Sequence, residues 1–141
     1  MLEFIDQRDK SRPFFTFAFF EATHAPYSFS PEHVVRNDYM DKINYATVSA
    51  KDAKRLYNRA ANAAHGIDIQ VGRIVEYLEQ SGLMDDTIIL LTGDHGEEFF
   101  EKGRLGHNST FVEEQIRTPL LIHIPGMQPR KHDVKIGRAH V

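Results

Sequence analysis

Three short apolar segments define the predicted sheet. Residues 14–20 (FFTFAFF), 87–92 (TIILLT) and 119–124 (PLLIHI) consist almost entirely of hydrophobic side chains. A continuous apolar run of this length is typical of a strand that is covered on both faces, as strands of parallel sheets are. Each run is followed by polar or turn-forming residues. The pattern therefore predicts three buried strands.

One long amphipathic segment separates the first two predicted strands. Across residues 51–80, apolar side chains recur at three- and four-residue steps, which predicts a helix with one apolar stripe. Ser81-Gly82 follows, and glycine accepts the left-handed conformation in which helices commonly end. A helix between two buried strands forms a right-handed crossover, so we expect an α/β fold with a mostly parallel sheet flanked by helices. Residues 24–49, punctuated by Pro, Ser and Asn, are predicted to form an excursion loop that shapes a site.

Composition limits the class of protein. With 141 residues, 41% hydrophobic and 26% charged, the chain is predicted to form one domain with a real core. The net charge of −3 and the absence of a basic stripe argue against nucleic acid as a partner. The sequence contains no cysteine, so imidazole and carboxylate groups are the metal ligands to consider. No apolar stretch reaches the roughly 18 residues that a membrane span requires.

Both ends of the chain have the character of cut ends. Residues 2–12 resemble the end of a helix and contain no element that would begin a sheet. Residues 136–141 (IGRAHV) read like one frame of a sequencing-adapter oligonucleotide and are predicted to be a non-native tail. His140 is discounted as a ligand for that reason. Residues 1–135 are therefore predicted to be a fragment of a single domain.

The candidate chemistry follows the second predicted strand. Asp94 and His95 lie between two glycines, and on such a turn both side chains can converge on one cation. His24 follows the first predicted strand, and His107 lies one loop after His95. Because functional groups gather at the carboxyl ends of strands in open α/β sheets, we expect these groups at one rim. Alternative interpretations are a capping or surface histidine for His24 and a simple polar turn for Asp94-His95. Taken alone, His107 favours neither reading.

Several motifs together resemble one family. In residues 78–126, the segment LMDDTI leads into TGDHGE, followed by GH, TPL and IPG. This order resembles the C-terminal half of the catalytic domain in the sulfatase branch of the alkaline phosphatase superfamily. The turn at residues 23–26 (THAP) resembles the His-x-Pro element of the same family. The resemblance covers most of residues 13–126, and it implies a partial alkaline-phosphatase-like α/β sandwich whose N-terminal part is missing.

The resemblance implies roles for four residues. Asp94 and His95 correspond to two ligands of the catalytic divalent metal. His24 and His107 correspond to the pair that grips the sulfate or phosphate group or holds a second metal. Glu97 occupies a position where the family often has a carboxylate, and no role is assigned to it.

Ligand type bears on the metal and on the reaction. An imidazole ligand favours zinc or manganese, while calcium is also compatible with the family. Within the superfamily that the chain resembles, that preference implies phospho-transfer or phosphodiester hydrolysis. Residues 103–126 are also similar to the periplasmic part of inner-membrane sulfatase-like and lipoteichoic-acid-synthase-like proteins. A membrane-anchored parent protein, acting at the periplasmic or extracytoplasmic face of the inner membrane, is the expectation.

The nucleophile of the family has no match in this chain. Family members use a formylglycine made from Cys or Ser, or a Thr, and this sequence has no cysteine and no Ser-x-Pro-x-Arg segment. We therefore expect the intact protein to be a sulfuric ester hydrolase or phospho-transferase and this fragment alone to be inactive. Two alternatives are a non-catalytic sulfatase-like module that binds lipid or a partner protein, and a plain metal-binding or structural α/β domain. The sequence does not determine the substrate or the oligomeric state.

Overall fold

A computed structural model describes residues 1–131 of the chain, so the predicted tail at 136–141, including His140, lies outside the described residues. Short 3₁₀ turns occur at Pro31–His33, Ala50–Asp52 and Met84–Asp86. The remaining elements, in chain order, are α1 (Leu2–Gln7), α2 (Ala53–Gln80), β1 (Ile89–Thr92), β2 (Glu98–Phe99), β3 (Leu105–Gly106), α3 (Glu113–Ile116) and β4 (Leu120–His123).

The predicted long helix is confirmed as α2. It begins after a capping box in which the Ser49 backbone N–H donates to the Asp52 carboxylate over 3.0 Å. It ends at Gln80 with Ser81 as its C-cap, and Gly82 follows with φ of 68°. The backbone N–H of Leu83 then donates to the carbonyl of Leu78 over 2.9 Å, which closes the helix end as glycine C-caps commonly do.

The main core lies between α2, the loop that precedes it, and the β2–β3 hairpin. Its buried members are Tyr27, Leu56, Ala63 and Phe99. The predicted apolar stripe of α2 supplies Leu56 and Ala63 here, and it continues as half-buried positions along the helix. Burial of this stripe against the loop is what holds the long helix in place, because isolated helices gain little from propensity alone.

Polar residues of α2 fix the excursion loop. The Oδ1 atom of Asn62, a fully buried residue, accepts hydrogen bonds from the backbone N–H groups of Val35 (2.9 Å) and Arg36 (2.8 Å). Its Nδ2 atom donates to the Arg36 carbonyl over 3.0 Å, and Asn58 donates similarly to Asp38 over 2.7 Å. The predicted loop at residues 24–49 is confirmed, with the Pro31–His33 turn inside it. Asparagine side chains of α2 form the hydrogen bonds to these loop backbone groups that a neighbouring strand would form in a sheet.

The two small sheets are antiparallel, and a mostly parallel sheet is not found within residues 1–131. Strands β1 and β4 pair so that Thr92 faces Leu120 and Ile89 faces His123, and β2 pairs with β3. The second and third predicted strands therefore exist, but the chain leaves β1 and returns to β4 at the same end of the sheet. An apolar run does not record strand direction, and only the path of the connecting segment determines it.

The prediction of a strand at residues 14–20 was wrong for the described residues. This segment has no ladder partner within residues 1–131, and Phe15, Phe17 and Phe19 are 86%, 80% and 70% exposed. A strand requires a hydrogen-bonded neighbour, and an apolar run alone does not supply one. The result is a mixture of helices and small sheets, consistent with part of an α/β domain. No helix in the described part of the chain combines the length and apolarity needed to cross a bilayer.

Candidate active site

Asp94 and His95 face the same space just beyond the end of β1. The Asp94 carboxylate Oδ2 lies 3.8 Å from Nε2 of His95, and its Oδ1 accepts the His95 backbone N–H over 3.1 Å. Oxygen and nitrogen ligands bind zinc at about 2 Å, so one cation fits between the two atoms. The Asp94 side chain is mostly exposed and that of His95 is about one-third exposed, which leaves the position accessible.

Gly96 allows this turn to press against α3. Its backbone N–H donates to the Gln115 carbonyl over 2.8 Å. A Cβ atom at this position would overlap the carbonyl oxygen of Glu114 and would lie 2.9 Å from that of Arg117. Because both neighbours are backbone atoms, no side-chain rotation relieves the overlap. The glycine therefore fixes where the Asp94-His95 pair lies relative to α3.

The structure brings His24 and His107 to the same place as His95. The His107 ring stacks on the His95 ring with centroids 3.8 Å apart, and the His24 ring meets His107 edge-on at 5.4 Å. The Nδ1 atoms of His24 and His95 lie 2.9 and 2.8 Å from the carbonyls of Ala25 and Gly96. A carbonyl only accepts, so these Nδ1 atoms carry hydrogen and the Nε2 atoms are left for a ligand.

Glu97, for which the sequence predicts no role, joins this cluster. Its Oε2 atom lies 2.6 Å from Nδ1 of His107, and its Oε1 atom accepts the hydroxyl of Tyr27 over 2.6 Å. His95, Glu97 and His107 each offer a ligand atom within 4.8 Å of the others. A signal existed in the sequence, because residues two apart in an extended segment share a face, and Glu97 is two residues after His95.

Tyr27 is the second group that sequence reasoning missed. Its ring is buried, and burial together with the hydrogen bond to Glu97 and the nearby negative charge raises the pKa of the Tyr27 hydroxyl far above its ordinary value. The hydroxyl therefore remains a hydrogen-bond donor throughout the physiological range. Nothing in the local sequence distinguishes this tyrosine from a core aromatic residue.

Glu98 and Gln115 hold the loops around His107. The buried Glu98 carboxylate accepts the backbone N–H groups of Lys102 (3.0 Å) and Arg104 (2.8 Å) and the Gln115 amide (2.9 Å). Burial alone would raise the pKa of Glu98, but these donors outweigh it and hold the pKa below its ordinary value. The Oε1 atom of Gln115 accepts the backbone N–H of Ser109 over 3.1 Å. The segment that follows His107 is thereby fixed to the segment that follows β2.

A cavity of about 450 Å³ opens beside the Asp94-His95 pair. Ser109 and Thr110 contribute polar atoms to its wall, and the exposed rings and chains of Phe111 and Ile116 contribute apolar surface. The cavity wall therefore combines polar and apolar groups directly beside the candidate metal ligands.

The described residues form a mixture of helices and small antiparallel sheets, consistent with part of an α/β domain. Carboxylate and imidazole groups converge at the end of β1, and such a donor set is suited to a divalent metal. The sulfatase family model matches residues 1–140. The chain therefore belongs to the sulfatase family of the alkaline phosphatase superfamily.

Similar proteins come from several bacteria. A choline-sulfatase of Rhizobium meliloti (strain 1021) is 38% identical over 66 residues, which cover 47% of this chain and 13% of that protein. An endo-4-O-sulfatase of Bacteroides thetaiotaomicron is 26% identical over 140 residues, covering 92% and 27%. The inner membrane protein YejM of Salmonella typhimurium is 26% identical over 93 residues, covering 65% and 15%. The chain thus spans between 13% and 27% of the length of these relatives.

Proposed function

We propose that this chain carries part of the active site of a metal-dependent enzyme that hydrolyses or transfers sulfate or phosphate esters. The observation that carries the proposal is the 3.8 Å separation of Asp94 Oδ2 and His95 Nε2, with two further imidazole rings beside them. In this proposal Asp94 and His95 are two ligands of the catalytic divalent metal. Membership of the sulfatase family supports hydrolysis of a sulfate ester as the first reaction to test.

The ligand atoms of Asp94 and His95 suit zinc or manganese. One oxygen and one imidazole nitrogen favour zinc or manganese, whereas calcium prefers an all-oxygen shell. When bound, the ion would neutralise negative charge that develops on the transferred group. Asp94 would supply the charged ligand, and the Gly96 carbonyl would keep the His95 ring in the orientation that presents Nε2.

His24 and His107 are proposed to grip the sulfate or phosphate group or to hold a second metal. Their ring centroids are 5.4 Å apart, a spacing at which both rings reach one tetrahedral anion. One of the two would protonate the leaving oxygen, a role for which imidazole is suited near neutral pH. Catalysis of such a transfer depends mainly on stabilising the negative charge of the transition state, and two imidazoles beside a metal would contribute to that stabilisation.

The 141-residue chain alone is proposed to be inactive, because it contains no cysteine and no Ser-x-Pro-x-Arg segment from which the family's nucleophile is made. For the intact protein we propose a periplasmic or extracytoplasmic location with a membrane anchor. The similarity to the inner membrane protein YejM supports this location. The same absence of a nucleophile permits one alternative, a non-catalytic module that binds lipid or a partner protein, whereas the Asp94-His95 pair argues against it.

Metal titration tests the ligand assignment. Isothermal titration calorimetry of the intact protein should show binding of Zn²⁺ or Mn²⁺, with an affinity that falls at least about 100-fold in Asp94→Ala, because a charged ligand is lost. Asp85→Ala, which removes an exposed carboxylate outside the site, is the matched control and should bind as the wild type does. Unchanged binding in Asp94→Ala would refute the assignment.

A turnover assay separates the enzyme from the non-catalytic alternative. The intact protein should hydrolyse p-nitrophenyl sulfate or p-nitrophenyl phosphate, and Asp94→Ala in that protein should abolish the reaction. Retained metal binding without turnover of either ester would favour the binding module.

A further inference from the structure

We propose that Glu97 is a positioning residue that joins the His24 turn to His107 and determines which nitrogen of the His107 ring is left to act. The inference rests on the proposed function, since it assigns the group that organises the two histidines of that site. It concerns a residue that touches neither substrate nor metal in the proposed mechanism and that acts through its two neighbours.

Both carboxylate oxygens of Glu97 are engaged. Oε1 accepts the Tyr27 hydroxyl and Oε2 accepts Nδ1–H of His107, each over 2.6 Å. The side chains of Glu97 and His107 are only 17% and 16% exposed, so water competes weakly for these bonds. Short hydrogen bonds to a carboxylate in a sheltered position are among the strong ones in proteins.

Tyr27 transmits the position of Glu97 to the His24 turn. The Tyr27 backbone N–H donates to the His24 carbonyl over 2.8 Å, and the Arg59 guanidinium donates to the Pro26 carbonyl over 2.6 Å. The backbone of Tyr27 has φ of 57°, a left-handed conformation that is uncommon for a bulky residue and persists only where its surroundings impose it. Its hydroxyl is therefore held at a fixed place, and Glu97 bridges from it to His107.

The bridge fixes the tautomer of His107. A carboxylate only accepts, so Nδ1 of His107 carries a hydrogen, and within residues 1–131 no hydrogen bond reaches its Nε2 atom. Coordination of a metal by Glu97 and Nδ1 of His107 together does not fit, because two ligand atoms about 2 Å from one ion lie about 3 Å apart or more. The observed 2.6 Å is a hydrogen-bond distance.

The tautomer is measured directly by ¹⁵N-histidine NMR, at a pH of about 8 so that an ordinary histidine is neutral. In the wild type, Nδ1 of His107 should be protonated. Glu97→Leu, which removes both acceptors, should leave Nδ1 bare and Nε2 protonated.

Two results would overturn the proposal: a bare Nδ1 in the wild type, which requires no variant to fold, or a protonated Nδ1 in a folded Glu97→Leu. Resonances of α2 report whether each variant is folded. The measurement uses neither metal nor substrate, so it can fail while the metal assignment at Asp94 stands, and the reverse also holds.

A zinc titration distinguishes a positioning residue from a metal ligand. Glu97→Gln should bind Zn²⁺ within about ten-fold of the wild type, the lower end of what a partner of a ligating histidine contributes. A loss in Glu97→Gln as large as that in Asp94→Ala would make Glu97 a ligand and would end the positioning role.

Discussion

One added methyl group at Gly96 should destabilise the protein by about 2–4 kcal/mol. In Gly96→Ala the new Cβ would overlap the Glu114 carbonyl oxygen and lie 2.9 Å from that of Arg117. Displacing packed backbone to relieve such an overlap costs about 1–3 kcal/mol. The turn would also move away from Gln115 and lose its 2.8 Å hydrogen bond, worth about 1 kcal/mol.

Guanidinium denaturation followed by circular dichroism measures this loss. Gly72→Ala is the matched control, because its Cβ would meet nothing within 4 Å on an exposed part of α2. Replacing a helical glycine with alanine should stabilise the protein by about 1 kcal/mol. The two substitutions are chemically identical, so opposite signs would isolate the contact between the turn and α3.

The same variant tests whether the turn positions the metal ligands. Because the Gly96 carbonyl orients the His95 ring, Gly96→Ala should also weaken zinc binding, whereas Gly72→Ala should not. A Gly96→Ala variant that is as stable as the wild type would refute the predicted overlap with the Glu114 carbonyl. It would show that the backbone of α3 moves aside at little energetic cost.

Two further predictions concern buried polar groups. Asn62→Ala removes the acceptor for the backbone N–H groups of Val35 and Arg36, so it should lower the free energy of unfolding in urea by about 2–4 kcal/mol. The control Asn37→Ala, at an exposed position, should lower it by less than about 0.5 kcal/mol. Equal values would contradict the role of α2 in holding the loop. Because the pKa of Glu98 is lowered in the folded protein, its contribution is fully present above the unfolded-state pKa of about 4.3 and is lost as pH falls through the folded pKa. The melting temperature of the wild type should therefore fall more steeply below that pH than the melting temperature of Glu98→Gln. Parallel curves of melting temperature against pH would contradict this role of Glu98.

Local signals in the sequence predicted the helix and the position of the Asp94-His95 pair after a strand. The three- and four-residue spacing of apolar positions and the glycine at position 82 determine α2 and its end. The Asp94-His95 pair was placed correctly after β1, and its side chains do face one space. These features depend on residues close in sequence, which is why a single sequence reveals them.

Features that depend on distant segments were not predictable in the same way. Whether residues 14–20 pair, and whether β1 and β4 run parallel, depends on which segments lie beside them. Tyr27 and Glu97 are 70 positions apart in the sequence, and no pattern of hydrophobic spacing predicts their contact. The contacts of Tyr27 and Glu97 were therefore missed, although His24, His95 and His107 do lie together as expected.

Glu97 and Glu98 are adjacent carboxylates with separable tasks. Successive side chains of an extended segment point to opposite faces, so Glu97 contacts His107 and Tyr27 while Glu98 contacts Gln115 and the backbone of the hairpin turn. The first contact orients a ring, and the second holds the loops that carry it. Loss of Glu97 should therefore change the histidine tautomer, and loss of Glu98 should change how the stability of the protein depends on pH. A site on loops needs both, because neither β2 nor β3 is long enough to position His107 alone.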